Sequence, residues 1–359
     1  MYKFSEYVSP GHPDKVADYI SEYILDRYLA QDPNVRYAVE VMVKGLSVYI
    51  AGEVTSTVDL RKNMLQYVKE ALCEIGYTMK YAEKWGLDHV INPEGVTVYT
   101  NITAQSPEIG QGVDNNGWGD QGIFFGYADP SGDDSMMPKS HSLAKNLCHM
   151  LYTQAKEEGI GGIDIKTEIV LEEHGLIEKI IAAVPCRDAD EHKKVLESIF
   201  KWYNEVETDL PFYPTIVLNG TGNYVMHGPI ADCGVTGRKL AVDFYGGEFQ
   251  VGGGSPWTKD GSKADLTLNL FARQLAIYYA KRENQPVKVS IACCIGMSGV
   301  NYSVDNPCGE NIESGVMNAF PAELIERYGL NKPIFTSICK FGLFGEYQKD
   351  KPWENEQVD

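Results

Sequence analysis

No apolar run in the sequence approaches the roughly 20 residues that a membrane-spanning helix needs. The first residues, MYKFSEYVSPGHPDK, contain no apolar stretch of the kind found in secretory signals. The eight cysteines form no C-x-x-C pair and no regular framework, which disfavours structural zinc and a disulfide scaffold. These absences predict a cytoplasmic protein whose thiols are reduced and mostly buried.

Positive charge is also scarce in this chain. It has 32 Lys and Arg against 50 Asp and Glu, which gives a formal net charge of -18 and a pI near 4.8. A nucleic acid or an anionic membrane needs a broad basic surface, so neither is expected as a partner. A small anionic ligand is still possible, because local charge governs its binding.

Three common enzyme signatures are missing. The sequence has no G-x-x-x-x-G-K-[ST] loop and no G-x-G-x-x-G after a strand. It has no G-x-S-x-G elbow, and none of its seven histidines stands in a recognised Ser/His or Cys/His context. A covalent hydrolase is therefore disfavoured, and any bound phosphate must be held by side-chain cations and metal.

The pattern of apolar residues predicts an α+β fold. Residues 15–31 have a helical stripe that ends at Asp32-Pro33, and residues 35–54 read as a β-hairpin. A second hairpin turns near His174-Gly175. Two further strands are predicted over 238–245 and 287–295, and a helix is predicted over 264–283. Because the strands come as hairpins rather than as βαβ units, we expect helices packed on antiparallel-rich sheets, and the 359 residues suggest two or three domains.

The stretch SPGHPDKVAD places His12, Asp14 and Lys15 in a turn just before a helix. The turn could bind phosphate, with His and Lys as donors, Asp as a metal ligand and helix amides nearby. Asp14 could instead simply cap the helix, and on this stretch alone capping is favoured.

A cluster of cations lies beside glycines in GVTGRKL and GGGSPWTKDGSKAD, namely Arg238, Lys239, Lys259 and Lys263. Glycine lets a ligand approach the backbone closely, which suits an anion site. A solvated surface with ordinary turns is an equally good interpretation of the cluster alone.

Six carboxylates are candidates for holding Mg²⁺, K⁺ or a substrate ammonium: Glu40, Glu53, Asp120, Asp164, Asp232 and Asp265. In so acidic a chain, most carboxylates are solvated surface. Glu40 and Glu53 share a strand face with Ala38, Met42 and Ala51, which predicts partial burial.

These stretches, taken in order, resemble the S-adenosylmethionine synthetase family. EYVSPGHPDKVADYISE resembles the family's S-E-G-H-P-D-K-x-A-D segment, and GDQGIFFGYA resembles its D-Q-G-x-M-F-G-Y-A signature. DCGVTGRKLAVDFYGG, VGGGSPWTKDGSKAD and FGLFGEYQKDKPWE resemble three later segments. The order holds from Glu6 to Trp353, so the resemblance covers nearly the whole chain.

The resemblance implies that ATP, L-methionine and water give S-adenosylmethionine, phosphate and diphosphate. It implies two Mg²⁺ ions, a stimulatory K⁺, and active sites at the subunit interface of a homodimer, which could be part of a homotetramer. It also implies three similarly built α/β domains around a pseudo-threefold axis. The predicted segments are an N-terminal domain over 1–104, a lid loop over 105–120, a central domain over 121–227 and a C-terminal domain over 228–359.

Roles follow from motif position. The resemblance assigns ATP binding to His12, Lys15, Asp164, Lys166, Asn223, Tyr224, Asp232, Arg238, Lys239, Ser255 and Lys259, with Tyr224 stacking on adenine. It assigns methionine binding to Glu53, Gln105, Asp120, Asp232 and Lys263. It assigns Mg²⁺ to Asp14 and Asp265, and K⁺ to Glu40. The implied catalytic residues are His12, Lys166, Arg238, Lys259 and Lys263, with His12 donating toward the leaving 5′-oxygen or an adjacent phosphate.

Several residues depart from the family pattern. Pro10 replaces a Glu, Asn223-Tyr224 replace Arg-Phe, SPWT replaces A-F-S-G before Lys259, and His227 replaces a Gly. Two other hypotheses therefore stand beside an active synthetase. One is a non-catalytic nucleotide-binding relative that acts through a partner subunit, and the other is a triphosphatase that has lost methionine binding.

Overall fold

The structure is a computed structural model that describes residues 2–105, 116–207 and 213–357. The α-helices in these ranges are α1 (Pro13–Leu29), α2 (Met64–Ile75), α3 (Met79–Trp85), α4 (Lys139–Glu157), α5 (Ala189–Val206), α6 (Leu240–Asp243), α7 (Ala264–Glu283), α8 (Pro321–Tyr328) and α9 (Phe335–Cys339). The strands are β1 (Lys3–Val8), β2 (Arg36–Lys44), β3 (Ser47–Thr55), β4 (Thr97–Thr103), β5 (Gly122–Ala128), β6 (Lys166–Leu171), β7 (Ile177–Ala183), β8 (Thr215–Leu218), β9 (Gly234–Val235), β10 (Val287–Cys293), β11 (Gly299–Asp305) and β12 (Asn311–Asn318). Short 3₁₀ turns cover Arg61–Asn63, Gly228–Ile230, Glu346–Gln348 and Pro352–Glu354.

Three four-stranded sheets form the framework of the described chain. Their strand orders are β1-β6-β7-β8, β4-β3-β2-β9 and β12-β11-β10-β5. The pairs β3–β4 and β7–β8 are parallel, and the other pairs are antiparallel. The prediction of an α+β fold with antiparallel-rich sheets is confirmed.

The sheets exchange strands in a cycle. The segment 1–104 supplies β2, β3 and β4 to one sheet and β1 to the next. The segment 121–227 supplies β6, β7 and β8 to that second sheet and β5 to the third. The segment 228–359 supplies β10, β11 and β12 to the third sheet and β9 back to the first. The predicted boundaries stay a prediction, but each segment is tied to the next by one strand.

Most of the predicted elements are confirmed: the helix predicted over 15–31, both hairpins, the helix over 264–283 and the strand from 287. The predicted strand over 238–245 is wrong, because α6 occupies its centre. Val242, Asp243, Phe244 and Tyr245 are all buried in succession. A strand on the surface of a sheet would alternate, and the helical turn instead directs Asp243 into the core.

The eight cysteines are all free thiols, and four of them are buried. Within the described ranges, no helix is both long enough and apolar enough to cross a membrane.

Helix α1 is almost entirely buried, because every residue of it except Arg27 is buried. His12 caps it, and Pro13 occupies the first turn, where its missing N–H costs nothing. Buried polar side chains need internal partners. The carboxylates of α1 therefore bind loops that come from distant parts of the chain.

Four of these carboxylates recur at every fourth position, which places them on one face of the helix: Asp14, Asp18, Glu22 and Asp26. They accept hydrogen bonds, in that order, from the backbone amides of Val235, Gly237, Thr258 and Phe335 at 2.9, 2.8, 2.5 and 2.9 Å. We call this set the acidic ladder. It fixes the two cation-bearing loops, around residues 236–239 and 255–259, against one rigid helix.

Helix α4 carries a buried ammonium group. Lys145 is 4% exposed and donates a hydrogen bond to the carbonyl oxygen of Phe344 at 2.7 Å. No carboxylate among the described residues lies within 4 Å of its Nζ. Burial lowers the pKa of Lys145 to about 7.

We expect Lys145 to give the stability a distinct pH dependence. An unfolded lysine has a pKa of about 10.4, so above pH 7 the unfolded chain binds a proton that the folded chain has lost. The free energy of unfolding should then rise with pH between about 7 and 10.5, and from pH 7 to 9 this residue contributes about 2 kcal/mol. Lys145→Met should lack that rise. Urea unfolding of both proteins at pH 7 and pH 9 measures it, and a difference between them that does not change with pH contradicts the prediction.

Candidate functional site

The structure divides the predicted site residues into two groups. The first group surrounds the N-terminus of α1 and contains His12, Asp14, Lys166, Asp232, Arg238 and Lys239. The second group lines a cavity of roughly 210 Å³ and contains Glu53, Gln105, Asp120, Lys259, Lys263 and Asp265. No hydrogen bond or ion pair of the described chain joins a side chain of one group directly to a side chain of the other.

His12 is the cap of α1, with its Nδ1 accepting the amide hydrogen bond of Asp14 at 3.2 Å. Burial and the nearby cations, Lys239 first, lower the pKa of His12 to about 3, so the ring is neutral. Since Nδ1 accepts, the proton of the neutral ring is on Nε2. His12 can therefore donate a hydrogen bond to a ligand without adding a charge.

Asp14 does not cap the helix with its carboxylate. Its Oδ2 accepts a hydrogen bond from Lys239 Nζ at 2.6 Å, and Arg238 Nε lies 3.5 Å from Oδ1. Burial alone would raise the pKa of Asp14, but the Lys239 hydrogen bond and that of the Val235 amide lower it below its usual value. The carboxylate is thus ionised and surrounded by cations.

Three members of the first group lie at its solvent edge: Lys166, Asp232 and Arg238, whose side chain is 53% exposed. Lys166, at the start of β6, is half exposed, with its Nζ 3.2 Å from Glu6. Asp232 is exposed, and its carboxylate accepts only the neighbouring amide of Cys233 among the described contacts. Asp232 was also predicted to bind methionine, but the structure places it beside His12 and not among the residues of the cavity.

Lys15 was predicted to bind ATP, but the structure turns it inward. It is 2% exposed, and its Nζ lies 2.8 Å from Asp243 and 3.2 Å from Asp18. The ammonium also sits over the Trp257 ring, 4.6 Å from the centroid. Burial would lower the pKa of Lys15, but the carboxylate of Asp243 raises it above its usual value. Lys15 joins α1 to α6 and does not face solvent with the other cations.

The residues predicted around adenine adjoin the first group. Asp164 is buried, its Oδ2 accepts the Gly228 amide at 2.7 Å, and burial raises its pKa to about 6. The hydroxyl of Tyr224 donates to the backbone oxygen of Asp164 at 3.2 Å, so the half-buried ring is held at one end. Asn223 is exposed beside it. Behind Tyr224, the buried ring of His227 lies 6.3 Å away, centroid to centroid.

The cavity gathers four of the five residues that were predicted to bind methionine. Two lysines on its wall are already paired, Lys259 with Asp265 at 2.5 Å and Lys263 with Asp260 at 3.1 Å. Two carboxylates on the wall have no cationic partner, because no lysine or arginine lies within 4 Å of Glu53 or Asp120. Every lysine and arginine of the sequence is in the described ranges, so these carboxylates are available to a ligand's ammonium.

Gly254, the last of the three glycines before Lys259, has a steric reason. A Cβ on Gly254 would lie 2.0 Å from Asp265 Oδ1, so any other residue would have to displace this carboxylate. The backbone of the same loop is also constrained at Thr258, which has a φ of 74°. Such a φ is strained for a β-branched residue and persists only when the surroundings enforce it. The Glu22 carboxylate provides that support, because it accepts a hydrogen bond from the Thr258 amide.

Ser255 was predicted to bind ATP from this loop. It is half-buried, and its hydroxyl accepts the amide of Trp257 at 3.2 Å. It faces Gly237 across the two cation-bearing loops, where a Cβ on Gly237 would lie 3.1 Å from its Oγ. Ser255 therefore lies beside the loop that carries Arg238.

Glu40 links the two loops. Its carboxylate accepts hydrogen bonds from the hydroxyl of Thr236 and, at 3.0 Å, from the hydroxyl of Thr258. The pairing of Glu40 with Ala51 and of Ala38 with Glu53 puts both glutamates on one face of the sheet, as predicted. Glu53 is half-buried, but Glu40 is exposed in this single chain, so its predicted partial burial is wrong for one chain alone.

The residues fit a magnesium ion that arrives with phosphate. No cluster of three or more His, Cys, Asp or Glu side chains within the described ranges could hold a metal by itself. Asp14 and Asp265 each offer one carboxylate, and each is paired with a lysine. Mg²⁺ commonly takes one or two protein carboxylates and completes its shell with substrate phosphates and water. The donor set suits that arrangement and not a preformed cage.

Sequence reasoning missed several residues that build the site. The acidic ladder was visible as four carboxylates spaced by four residues, but no local signal names their amide partners. Asp260 was also missed, although it accepts the Tyr37 amide at 2.8 Å and the Lys263 ammonium. The predicted lid lies mostly outside the described residues, because 106–115 are not part of them.

Comparisons with known proteins agree with the geometry. The model of "S-adenosylmethionine synthetase, N-terminal domain" matches residues 1–107, and that of the C-terminal domain matches 226–355. S-adenosylmethionine synthase 1 of Rhodospirillum rubrum is 33% identical over 99% of this chain and 96% of its own. The synthase of Kosmotoga olearia is 36% identical over 98% of this chain and 95% of its own. The solved structure of an unusual S-adenosylmethionine synthetase from Campylobacter jejuni has a TM-score of 0.87 and 31% identity, and the match covers 99% of this chain and 97% of that one.

Proposed function

The chain belongs to the S-adenosylmethionine synthetase family and is a methionine adenosyltransferase, and on that premise we propose how its residues carry out the reaction. As an alkyl transferase it joins the sulfur of L-methionine to C5′ of ATP. It then hydrolyses the released triphosphate to phosphate and diphosphate. No nucleic acid or membrane takes part, and the reaction takes place in the cytoplasm.

The cavity of the second group carries this proposal. It presents two carboxylates without cationic partners, Glu53 and Asp120, beside two lysines, Lys259 and Lys263. A ligand that carries an ammonium and lies next to phosphate complements that pattern. Methionine next to the triphosphate of ATP is such a combination. The backbone amide of Gln105 donates a hydrogen bond to the Thr55 hydroxyl at 3.1 Å. Gln105 completes this wall of the cavity and positions the amino acid.

The chemistry of the first step suits cations better than a base. A thioether is neutral and nucleophilic, so no group has to remove a proton before the sulfur attacks C5′. The barrier lies in alignment and in the charge that develops on the leaving triphosphate. Lys259 and Lys263 stabilise that charge, and His12 donates its Nε2 proton in a hydrogen bond to the leaving 5′-oxygen or an adjacent phosphate.

The second step uses the first group. Hydrolysis of the triphosphate is a phosphoryl transfer, in which positioning and charge stabilisation do most of the catalytic work. Arg238, Lys239 and Lys166 bind the phosphate oxygens. Asp164 and Tyr224 hold the adenosine end, with the Tyr224 ring stacked on the base, and Asn223 and Ser255 complete the nucleotide site.

Metal ions are part of the proposal. Two Mg²⁺ ions would neutralise phosphate charge when bound, with Asp14 and Asp265 as the protein carboxylates. Glu40 would hold K⁺, since its carboxylate and the hydroxyls of Thr236 and Thr258 offer only oxygen donors. The existing lysine partners of Asp14 and Asp265 would move to the phosphates once a metal takes the carboxylates.

A homodimer would bring the two groups together. Each active site would take the first group from one subunit and the second group from its partner, and two such dimers could form a tetramer. The sheet face that carries Glu40 and Glu53 also exposes Met42, Tyr49 and Tyr99, at 39%, 42% and 51%. An exposed apolar patch on a sheet face supports a self-association surface.

A product assay tests the function and the K⁺ site together. With ATP, methionine and Mg²⁺, the protein should form S-adenosylmethionine, phosphate and diphosphate, and K⁺ should raise the rate over Na⁺ at equal ionic strength. In Glu40→Gln, the ratio of the rates with K⁺ and Na⁺ should fall toward one, while Glu94→Gln, an exposed surface change, keeps the ratio.

The same assay separates the other hypotheses. Bound ATP without any product identifies a non-catalytic relative. Phosphate release without S-adenosylmethionine identifies a triphosphatase. A K⁺ response that survives in Glu40→Gln removes the K⁺ site from the proposal and leaves the transferase function standing.

A further inference from the structure

An amino acid has two charges, and the site described so far accounts for one of them. Glu53 and Asp120 match the ammonium of methionine, but its carboxylate also needs donors. The cavity wall offers three cations: Arg36, Lys259 and Lys263. Both lysines have a carboxylate within hydrogen-bond distance. On the proposed function both also stabilise phosphate charge, and the resemblance assigns Lys263 to methionine as well.

Arg36 differs from the two lysines. Its Nη1 lies 3.9 Å from Asp260 Oδ1, which is too far for a hydrogen bond. None of the residues that the structure describes accepts a hydrogen bond from its guanidinium. Its side chain is 30% exposed. Arg36 is therefore the cation on this wall that is least engaged with the protein.

Asp260 cannot easily take Arg36 as a closer partner, because its carboxylate is already occupied. Oδ2 accepts the Tyr37 amide at 2.8 Å and the Lys263 ammonium at 3.1 Å, and Oδ1 accepts the Ser262 amide at 2.9 Å. The carboxylate is also buried, with 3% of the residue exposed. The guanidinium of Arg36 is left without a hydrogen-bond acceptor among the described residues, on a side chain that lines the cavity.

Ser262 gives an independent second observation on the same wall. It is 1% exposed, and its hydroxyl has no hydrogen-bond partner within the described structure. A buried hydroxyl without a partner is unfavourable, so an orphan of this kind at a cavity wall points to a ligand. Ser262 and Arg36 both line the cavity that holds Glu53 and Asp120.

The sheet places the opposite charges at a suitable separation. Arg36 and Ala38 follow one another on the same face of β2, and Ala38 pairs with Glu53 on β3. Arg36 is thus a diagonal neighbour of Glu53, at a spacing of about 7–8 Å between such Cα atoms. A ligand with adjacent positive and negative groups fits between them.

We propose that Arg36 and Ser262 bind the α-carboxylate of methionine, opposite Glu53 and Asp120, which bind its ammonium. This inference rests on the proposed function, since it names the residues that bind the second charged group of the same substrate. Arginine suits this task because its planar fork matches a carboxylate with two parallel hydrogen bonds. Arg36 and Ser262 are binding residues and make no contact with the reacting sulfur in this scheme.

The test compares L-methionine with L-methioninamide, which keeps the ammonium and the sulfur but lacks the charged carboxylate. The wild-type protein should prefer methionine in kcat/KM by about 10- to 100-fold, the value of hydrogen bonds to a charged group. In Arg36→Gln the KM for methionine should rise by about the same factor, the preference should fall toward one, and the KM for ATP should stay as it was. Arg61→Gln, which changes an exposed arginine paired with Asp59, is the matched control and should keep the preference.

The outcomes are separable. If Arg36→Gln weakens methionine and methioninamide equally, the residue is structural and the inference is overturned. If that variant does not fold, Ser262→Ala removes a hydroxyl that makes no internal bond, and an unchanged preference there overturns the inference. If the wild-type protein makes no S-adenosylmethionine, the proposed function fails, but calorimetric binding of methionine and methioninamide to the same variants still tests the carboxylate site.

Discussion

Replacing Lys259 with alanine should lower kcat by about 10²- to 10³-fold, the cost of removing one charge-stabilising group from a developing anion. Lys259 lines the cavity, with its ammonium 2.5 Å from Asp265 and within reach of a phosphate placed beside that carboxylate. Its loss also leaves Asp265 without its cation, which repels the leaving triphosphate further. We therefore expect the largest effect on the chemical step and a smaller effect on substrate binding.

The fold should survive this change, because the backbone and not the side chain anchors this position. Lys259 forms a β-bridge with Ala38, and the preceding residue, Thr258, is held by Glu22. Alanine keeps both of these interactions.

Steady-state kcat at saturating ATP and methionine measures the effect, and the melting temperature checks the fold. Lys69→Ala is the matched control, since Lys69 makes a surface pair with Glu94 at 2.8 Å. We expect wild-type kcat for that control. A wild-type kcat in Lys259→Ala would show that the glycine-rich loop does not bind phosphate.

The individual helices and strands could be predicted because the spacing of their apolar residues repeats within short stretches of sequence. The hairpin of β2 and β3 alternates every two residues, which was enough to place Glu40 and Glu53 on one face before any pairing was known. The apolar stripe over residues 15–31 predicted α1. The strand predicted over 238–245 was wrong, although its sequence alternates too. Asp243 is buried against Lys15 and Trp257, which favours the helical turn. Both partners lie outside the segment, so its own sequence does not show them.

The candidate site was predictable where one motif contains both the residue and its chemistry. Lys259, Lys263 and Asp265 stand within seven residues of each other, and the cavity brings them together with Glu53 and Asp120. Lys15 shows the limit of that reasoning, because its motif neighbours face the site while its own ammonium points into the core.

Long-range partners set the other limit. Arg36 and Ser262 carry no local pattern, and their common cavity arises only when β2 meets the loop before α7. The amide partners of the acidic ladder are likewise more than 200 residues away from α1 in the sequence.

The largest effect on stability is expected at the ion pair that ties the C-terminal segment to α7. Arg273 is fully buried, and its Nη2 lies 2.8 Å from Oε2 of Glu354, which is also buried. The guanidinium donates further hydrogen bonds to the backbone oxygens of Tyr127 and Ser135, both at 2.6 Å. One side chain thus joins α7, β5, the loop before α4 and the last 3₁₀ turn of the described chain.

Glu354→Gln should lower the free energy of unfolding by about 3–5 kcal/mol, because it leaves a buried guanidinium without its counter-charge. The carbonyl partners of Arg273 remain, so we expect the lower end of that range. Urea unfolding with equal protein concentrations measures the loss. Glu356→Gln is the matched control: it makes the same change two residues away, in an exposed pair with Lys281 at 2.8 Å, and should cost less than about 1 kcal/mol. Equal losses in the two variants would show that the Arg273 pair contributes no more than a surface contact. A large loss confined to Glu354→Gln would show that the C-terminal segment is held by one desolvated charge pair, and that the sheet containing β5 depends on it for its stability.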